Sequence, residues 1–531
     1  MSRMNRSGVL ILQPSKFNLP RFYKLLKICS EQVQNVLYVD FSFNPKVNTD
    51  AITQKSFSRA QLYKVLEGIY KSNARELNCL DIRVLLEHDL GDVQEPRIFS
   101  RCLDVAFLDS SYKNEASIVE RACMRYNFKN KDSMQFVEGV FESNTPIYEQ
   151  FIEDTESEEM KSYGTVAVGG TFDRIHNGHR LLLSASCLLT NSRIVVGVSN
   201  DALLVNKTLG ELIAPLDVRM KNVAEFIEDI KPGLIKEIVP LDDPAGPTKT
   251  DPNIECLVVS AETLAGGQSV NKTRVGAGLP EMDLFSIELV SDQVIASSAD
   301  EDKLSSTACR HADLGVLLKA PKPQPNQDGS VYVIGLTGGI ASGKSSIAKR
   351  LGKLGAEVIN ADIVGHSVYE PGTDAYNEII ENFGEGIVDS DSSINRRKLG
   401  GLVFSDSKKL QKLNSIVWPR IKERIRELIA EISDKGFQVC VVEAALLLEA
   451  GWDQLVNEIW VSIIPEEEAV KRLNERNGLS EDEARKRLGS QMKNKERVIQ
   501  ANVVLSTLWE PEYTQKQVEK AWKGLQERLK K

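Results

Sequence analysis

Short runs of β-branched and aliphatic residues alternate along the whole chain with stretches whose apolar positions recur at helical spacing. Gly8-Val9-Leu10-Ile11-Leu12, Val36-Leu37-Tyr38-Val39 and Ile82-Arg83-Val84-Leu85-Leu86 predict buried strands, and residues 59–70 predict a helix between the last two. Thr165-Val166-Ala167-Val168, Ile194-Val195-Val196-Gly197-Val198 and Val331-Tyr332-Val333-Ile334 continue the series. Strands separated by single amphipathic helices predict an α/β fold with parallel sheets. Phe22, Tyr23, Leu25 and Leu26 fall at core spacing on the first helix, and no repeat of solenoid period is present.

Two segments interrupt this rhythm. The first is acidic, with Glu149, Glu153, Asp154, Glu156, Glu158 and Glu159 and no apolar periodicity. The second, Ala320-Pro321-Lys322-Pro323-Gln324-Pro325-Asn326-Gln327-Asp328-Gly329, is proline-rich. They divide the 531 residues into three expected domains, 1–160, 161–320 and 330–531, each of ordinary domain size. The expectation is an N-terminal α/β domain, a Rossmann-like domain and a third α/β domain.

Charge narrows the function. With 66 Lys and Arg against 75 Asp and Glu, the net charge is −9, which argues against a protein held to nucleic acid by bulk positive charge. No run of eighteen apolar residues occurs, so no transmembrane helix is expected. The eight cysteines are scattered without CxxC spacing, which points away from zinc sites and disulfide scaffolds. The first thirty residues are basic and acid-free, as a mitochondrial leader would be. The strand-like Gly8–Leu12 run favours instead the opening of a folded domain.

The strongest chemical signal of the middle block follows the strand at Thr165–Val168. Gly169-Gly170-Thr171-Phe172-Asp173-Arg174-Ile175-His176-Asn177-Gly178-His179 leads directly into a helical pattern. Paired glycines let backbone approach a ligand, and the helix start offers free N–H groups and a positive dipole end to phosphate. Two of the chain's five histidines lie three residues apart there. The turn resembles the phosphate-binding signature of the nucleotidylyltransferase superfamily, and Leu304-Ser305-Ser306-Thr307-Ala308-Cys309-Arg310 is similar to its second signature. Tyr163 to Arg180, Asn206-Lys207-Thr208, Asp251-Pro252-Asn253 and Gly266-Gly267 bring the likeness nearest to eukaryotic pantetheine-phosphate adenylyltransferases. That resemblance implies that His179 and Lys207 stabilise charge on the α-phosphate. Gly169, Thr171, His176, Ser305, Ser306 and Arg310 would bind ATP, and Thr171, Lys207 and Arg219 the acceptor.

In the last block, Gly338-Gly339-Ile340-Ala341-Ser342-Gly343-Lys344-Ser345 is a full GxxxxGKS between an expected strand and helix. In this context the loop N–H groups wrap a phosphate, Lys344 reaches the β- and γ-phosphates, and Ser345 ligates Mg²⁺. Ala356 to Val364, Glu370-Pro371-Gly372 and Ile394-Asn395-Arg396-Arg397-Lys398-Leu399 make the block resemble dephospho-CoA kinases. By that resemblance Asp362 accepts the proton of the attacking ribose hydroxyl, and Arg397 meets substrate. Arg472, Arg476 and Arg487 lie on the stretch that forms a helical lid, with Arg476 expected at ATP. Asn360, Trp418-Pro419 and Glu443 depart from the usual bacterial Asp, His-Pro and Asp, which touches substrate contacts more than reaction class.

A transferase block followed by a kinase block resembles the bifunctional coenzyme A synthase family of animals. The implied reactions are adenylyl transfer to 4′-phosphopantetheine and phosphorylation of dephospho-CoA, with Mg²⁺ accompanying ATP. The alternative is another nucleotidylyltransferase–kinase fusion, one making nicotinamide dinucleotide. Residues 1–160 carry no catalytic set, so the expectation there is a scaffold, or a surface for a protein or mitochondrial partner. The expected location is cytoplasmic, with a mitochondrial one as the alternative.

Overall fold

The structure, a computed structural model, describes residues 7–12, 17, 19–42, 57–71, 80–86, 96–128, 133–138, 160–288, 306–322, 331–403 and 406–530. The acidic segment, most of the proline-rich one and Ser305 lie outside these residues.

The first block runs β1 Gly8–Ile11, α1 Leu19–Ser30, β2 Val36–Asp40, α2 Arg59–Lys71, β3 Asp81–Val84, β4 Val105–Asp109, α3 Ala116–Arg125 and β5 Met134–Val137. The middle block runs β6 Tyr163–Gly170, α4 Asn177–Leu189, β7 Thr190–Ser199, α5 Leu216–Ile230, β8 Ile235–Leu241, β9 Cys256–Ser260, α6 Leu264–Gly276 and β10 Asp283–Ile287. Helix α7, Ser306–Asp313, follows. Every strand pairing in both sheets is parallel. The first sheet has the order β3-β2-β1-β4-β5 and the second β10-β9-β6-β7-β8. Counted from its own first strand, the second sheet has the same order as the first, read from the opposite edge.

These two blocks form one compact unit, Met1–Ala308. A single hydrophobic cluster runs from Leu10, Phe22 and Leu66 through Leu181, Leu183 and Phe226 to Ile287. Helix α2 packs directly on α4. Strands buried on both faces explain why β1, β2, β4 and β9 are apolar almost throughout instead of alternating.

The second unit is Cys309–Lys531. It contains β11 Tyr332–Gly338, α8 Lys344–Lys353, β12 Glu357–Asn360, α9 Ala361–Ser367, α10 Asp374–Phe383, α11 Arg396–Val403, α12 Ser407–Asp434, β13 Val439–Glu443, β14 Glu458–Ile463, α13 Glu466–Asn477, α14 Glu481–Gly489, α15 Asn494–Gln500, β15 Val503–Ser506 and α16 Pro511–Leu529. Its parallel sheet has the order β12-β13-β11-β14-β15. The segment ahead of the prolines belongs here. Gly315 N–H donates to Val504 and Leu318 N–H to Asn502, at 2.9 and 2.7 Å, and Leu314 is buried. The unit therefore begins within α7, ahead of the sequence-expected boundary at 320.

Candidate functional site

In the second sheet β6 lies between β7 and β9, where the strand order reverses, and ligands of such sheets bind outside the strand ends at that point. The chain leaving β6 is the histidine turn. Phe172 and Arg174 both take left-handed backbone, at φ 48°, a conformation costing about 1–3 kcal/mol at a non-glycine residue. Packing and charge hold them there. The Phe172 ring is fully buried, and a Cβ on Gly170 would stand 3.1 Å from it. Arg174 Nη1 donates to both Asp173 carboxylate oxygens, at 3.0 and 2.9 Å, and to the Leu212 carbonyl at 2.8 Å. Asp173, fully buried, also accepts Ala214 N–H at 3.1 Å. Ser306 Oγ donates to the Asp173 carbonyl at 3.0 Å, which brings the two signatures of the middle block together.

His176 caps α4, its Nδ1 accepting Gly178 N–H at 3.1 Å. The His179 ring lies 4.0 Å from that of His176 and 5.3 Å from Phe172, centroid to centroid. His179 bonds the Arg174 backbone, while its covered Nδ1 has no hydrogen-bond partner. Burial, helped by the Arg180 charge, pushes His176 down to about 4. His179 is held well below the ordinary histidine value by burial first and then by His176. Both rings are therefore neutral near pH 7. An anion arriving beside them would favour their charged forms and give His179 a second N–H to donate.

Other expected residues of this site fall differently. Gly169 is the penultimate residue of strand β6, and Thr171, half-buried, follows the strand. Lys207 is exposed on the loop after β7, and its ammonium makes no hydrogen bond or ion pair among the described residues. Arg219, expected at substrate, is 1% exposed and donates to the carbonyls of Ala214, Thr171 and Ser199 at 2.8, 2.7 and 2.9 Å. A guanidinium taken out of water needs such a set of acceptors. Arg219 thus braces the turn. Arg310 is buried within α7.

The second site lies at the end of β11. At Gly338 φ is 154°, and a Cβ there would fall 2.3 Å from the Ser462 carbonyl oxygen. Gly343 adopts φ 82° against Thr507, and α8 starts at the next residue. Lys344 Nζ donates to the carbonyls of Gly338 and Gly339, both at 2.9 Å. Burial pushes this ammonium down to about 8, against the pull of Glu443. Ser345 Oγ donates to Glu443 Oε1 at 2.6 Å, and Asn360 Nδ2 to Oε2 at 3.3 Å. A hydroxyl and a carboxylate beside a phosphate loop form an oxygen donor set that suits Mg²⁺, which keeps further positions for phosphate and water. Among the described residues there is no cluster of three or more metal-ligating side chains.

Asn360 also caps α9, accepting Asp362 and Ile363 N–H at 3.0 and 3.1 Å, which leaves Asp362 exposed in the first turn. Ala341 to Ser346 line a cleft of about 470 Å³ with Arg472, Glu475 and Arg476. Arg472 is tied to Ala341 and Thr507, whereas Arg476 is exposed and, among the described residues, bonds Asn477 alone. Arg487 and Arg397 are exposed and line no part of this cleft. The neighbour of Arg397, Arg396, is the one that reaches the Tyr369 hydroxyl. Sequence reasoning missed Gln491, whose Oε1 accepts Ile340 N–H of the loop at 2.8 Å. It also missed Arg497, buried beside Gly339 and bonded to Glu449 at 3.1 Å. Neither carries a local motif. Among the described residues, no helix is long and apolar enough to cross a membrane.

Residues 332–508 match the family model for dephospho-CoA kinase, and residues 167–312 the model for cytidylyltransferase-like domains. A dephospho-CoA kinase of Carboxydothermus hydrogenoformans is 44% identical over 186 residues, covering 35% of this chain and 90% of that protein. One from Geobacter sulfurreducens is 41% identical over 190 residues, covering 36% and 96%. The phosphopantetheine adenylyltransferase of Saccharomyces cerevisiae is 41% identical over 165 residues, covering 31% of this chain and 53% of its own length. With a phosphate loop, a hydroxyl–carboxylate pair and relatives matched over nearly their full length, the chain belongs to the dephospho-CoA kinase family, and it carries a cytidylyltransferase-like domain ahead of its kinase domain.

Proposed function

We propose that the chain performs the last two steps of coenzyme A synthesis. In the first, a phosphate oxygen of 4′-phosphopantetheine attacks the α-phosphorus of ATP, forming dephospho-CoA as pyrophosphate leaves. In the second, the ribose 3′-hydroxyl of dephospho-CoA attacks the γ-phosphorus of a second ATP, giving CoA and ADP. The observation that carries the reading is the presence in one chain of two distinct phosphate-directed sites, the neutral histidine pair and the Lys344–Ser345–Glu443 group.

Neither reaction needs a covalent intermediate; both need placement and charge. At the first site His176 and His179 donate to phosphate oxygens from the start of α4, whose dipole adds to them. The exposed ammonium of Lys207 would follow the α-phosphate, and Thr171 would offer a hydroxyl to the acceptor. At the second, the loop amides and Lys344 hold the β- and γ-phosphates. Asp362 takes the proton of the hydroxyl, and Arg476 neutralises the moving phosphoryl group. Ser345 and Glu443 would hold Mg²⁺, which supplies charge neutralisation at the phosphates when bound.

Assay of the purified chain with Mg-ATP and 4′-phosphopantetheine tests this. Lys344→Ala should stop the sequence at dephospho-CoA, and His179→Ala should lose the first step yet phosphorylate supplied dephospho-CoA. Pyrophosphate release with nicotinamide mononucleotide but not with phosphopantetheine would overturn the assignment.

A further inference from the structure

The first block, in which sequence showed no chemistry, reaches into the histidine motif. We infer that it is a working part of the transferase, and that Asp81 is a positioning residue for His176 and His179. The inference rests on reading that pair as the adenylyl-transfer site.

The connection is a chain of alternating charge. Asp229, near the end of α5, is fully buried, and its side-chain partners among the described residues all come from the first block. They are Tyr38 Oη at 2.8 Å, Ser100 N–H and Oγ at 2.7 and 2.6 Å, and Arg83 Nη1. Arg83 continues to Asp81 Oδ2, with Nε at 3.0 Å and Nη2 at 2.7 Å. The other Asp81 oxygen accepts Arg180 Nε at 2.9 Å, and Arg180 Nη1 donates to Asn177 Oδ1 at 2.7 Å. Asn177 and Arg180 stand on either side of Gly178-His179 in the first turn of α4. The path thus ends inside the motif, one residue from the ring whose Nδ1 awaits a partner.

Arg83 and Arg180 are each less than a tenth exposed, so the carboxylate between them is their shared counter-ion. When its charge is removed Arg83 keeps Asp229, but Arg180 is left covered beside another guanidinium and must move toward water to be solvated. Arg180 also contributes to holding both histidines neutral. Its displacement therefore moves the first turn of α4 and alters the field at both rings. An attachment of the kind expected for a scaffold would leave α4 complete without it. Here α2 also covers α4, and Leu86 N–H donates to the Ile230 carbonyl at 2.9 Å.

The test uses the full-length chain and assays each half-reaction separately. Asp81→Asn should lower kcat of adenylyl transfer about 10- to 100-fold, as a misplacement near 1 Å does. The KM for ATP should change less than about twofold, because ground-state binding is not what is lost. Kinase activity on supplied dephospho-CoA should be unchanged, and Asp81→Glu should recover most of the loss. Tyr38→Phe, which removes one neutral hydrogen bond to Asp229 and leaves every ion pair from Asp229 to Arg180 in place, serves as the comparison. It should lower the melting temperature of the first unit while sparing kcat. The inference is overturned if Asp81→Asn keeps wild-type kcat, or if its deficit disappears on cooling together with an unfolded fraction. Full adenylyl transfer by His179→Ala would instead sink the underlying site reading, and the inference with it.

Discussion

Lys344 is a half-buried ammonium held by its own loop. It bonds two carbonyls of its own loop, and burial has brought it down to about 8. ATP phosphates would restore its charge, so the bound form holds the proton more tightly than the free form. By linkage, affinity for ATP should be nearly flat below pH 7 and fall above about pH 8, by at most tenfold per pH unit. Calorimetric titration of nucleotide at pH 7, 8 and 9 would show the slope, and Lys344→Arg should flatten it because a guanidinium does not titrate there. The carboxylate and hydroxyl of Glu443 and Ser345 are equally specific: they meet across 98 positions of sequence, where only the strand register brings them together. Arg219 shows the opposite limit of reading letters. The sequence gives no sign of the three carbonyls that this buried guanidinium braces.

The elements were largely legible because their burial is extreme. The expected strands at 36–39, 82–86 and 165–168 appear as β2, β3 and β6, and the helix expected at 59–70 is α2. Fully apolar runs and the strand–glycine–helix turns announce themselves through local chemistry. The chain from Asp229 to Asn177 does not, since Arg83 and Asp229 are 146 residues apart and each alone is an ordinary surface letter. Likewise Arg396 and Arg397 are neighbours on α11, and which of them reaches Tyr369 is decided by helix rotation. At the start of α4 the histidines couple structure to pH. Histidine normally titrates near 6.5, and in the folded chain burial pushes His176 down to about 4. Above pH 6.5 both states are neutral and its contribution to stability is complete. As pH falls from 6.5 to 4 only the unfolded chain takes the proton, so stability drops by roughly 2–3 kcal/mol. His176→Asn, which still caps the helix but does not titrate, should remove much of that slope in urea unfolding measured from pH 7 to 4.

On the scale of the whole molecule, two units with separate cores stand behind the two reactions. Cooperative unfolding belongs to a core, so calorimetry should resolve two transitions, and a non-hydrolysed ATP analogue with Mg²⁺ should raise that of the kinase unit in Lys344-intact protein but not in Lys344→Ala. The first unit contains two sheets with one strand order. Strand β6 ends in Gly169-Gly170 before Thr171, whereas in the sequence β1 ends in Leu10-Ile11 before Leu12-Gln13-Pro14. The same winding of strands and helices is thus used twice in this unit, and the glycine pair and the histidines stand at the exit of β6. The chemistry of the middle block is concentrated in a handful of residues at one strand exit, carried on a winding that the block before it repeats.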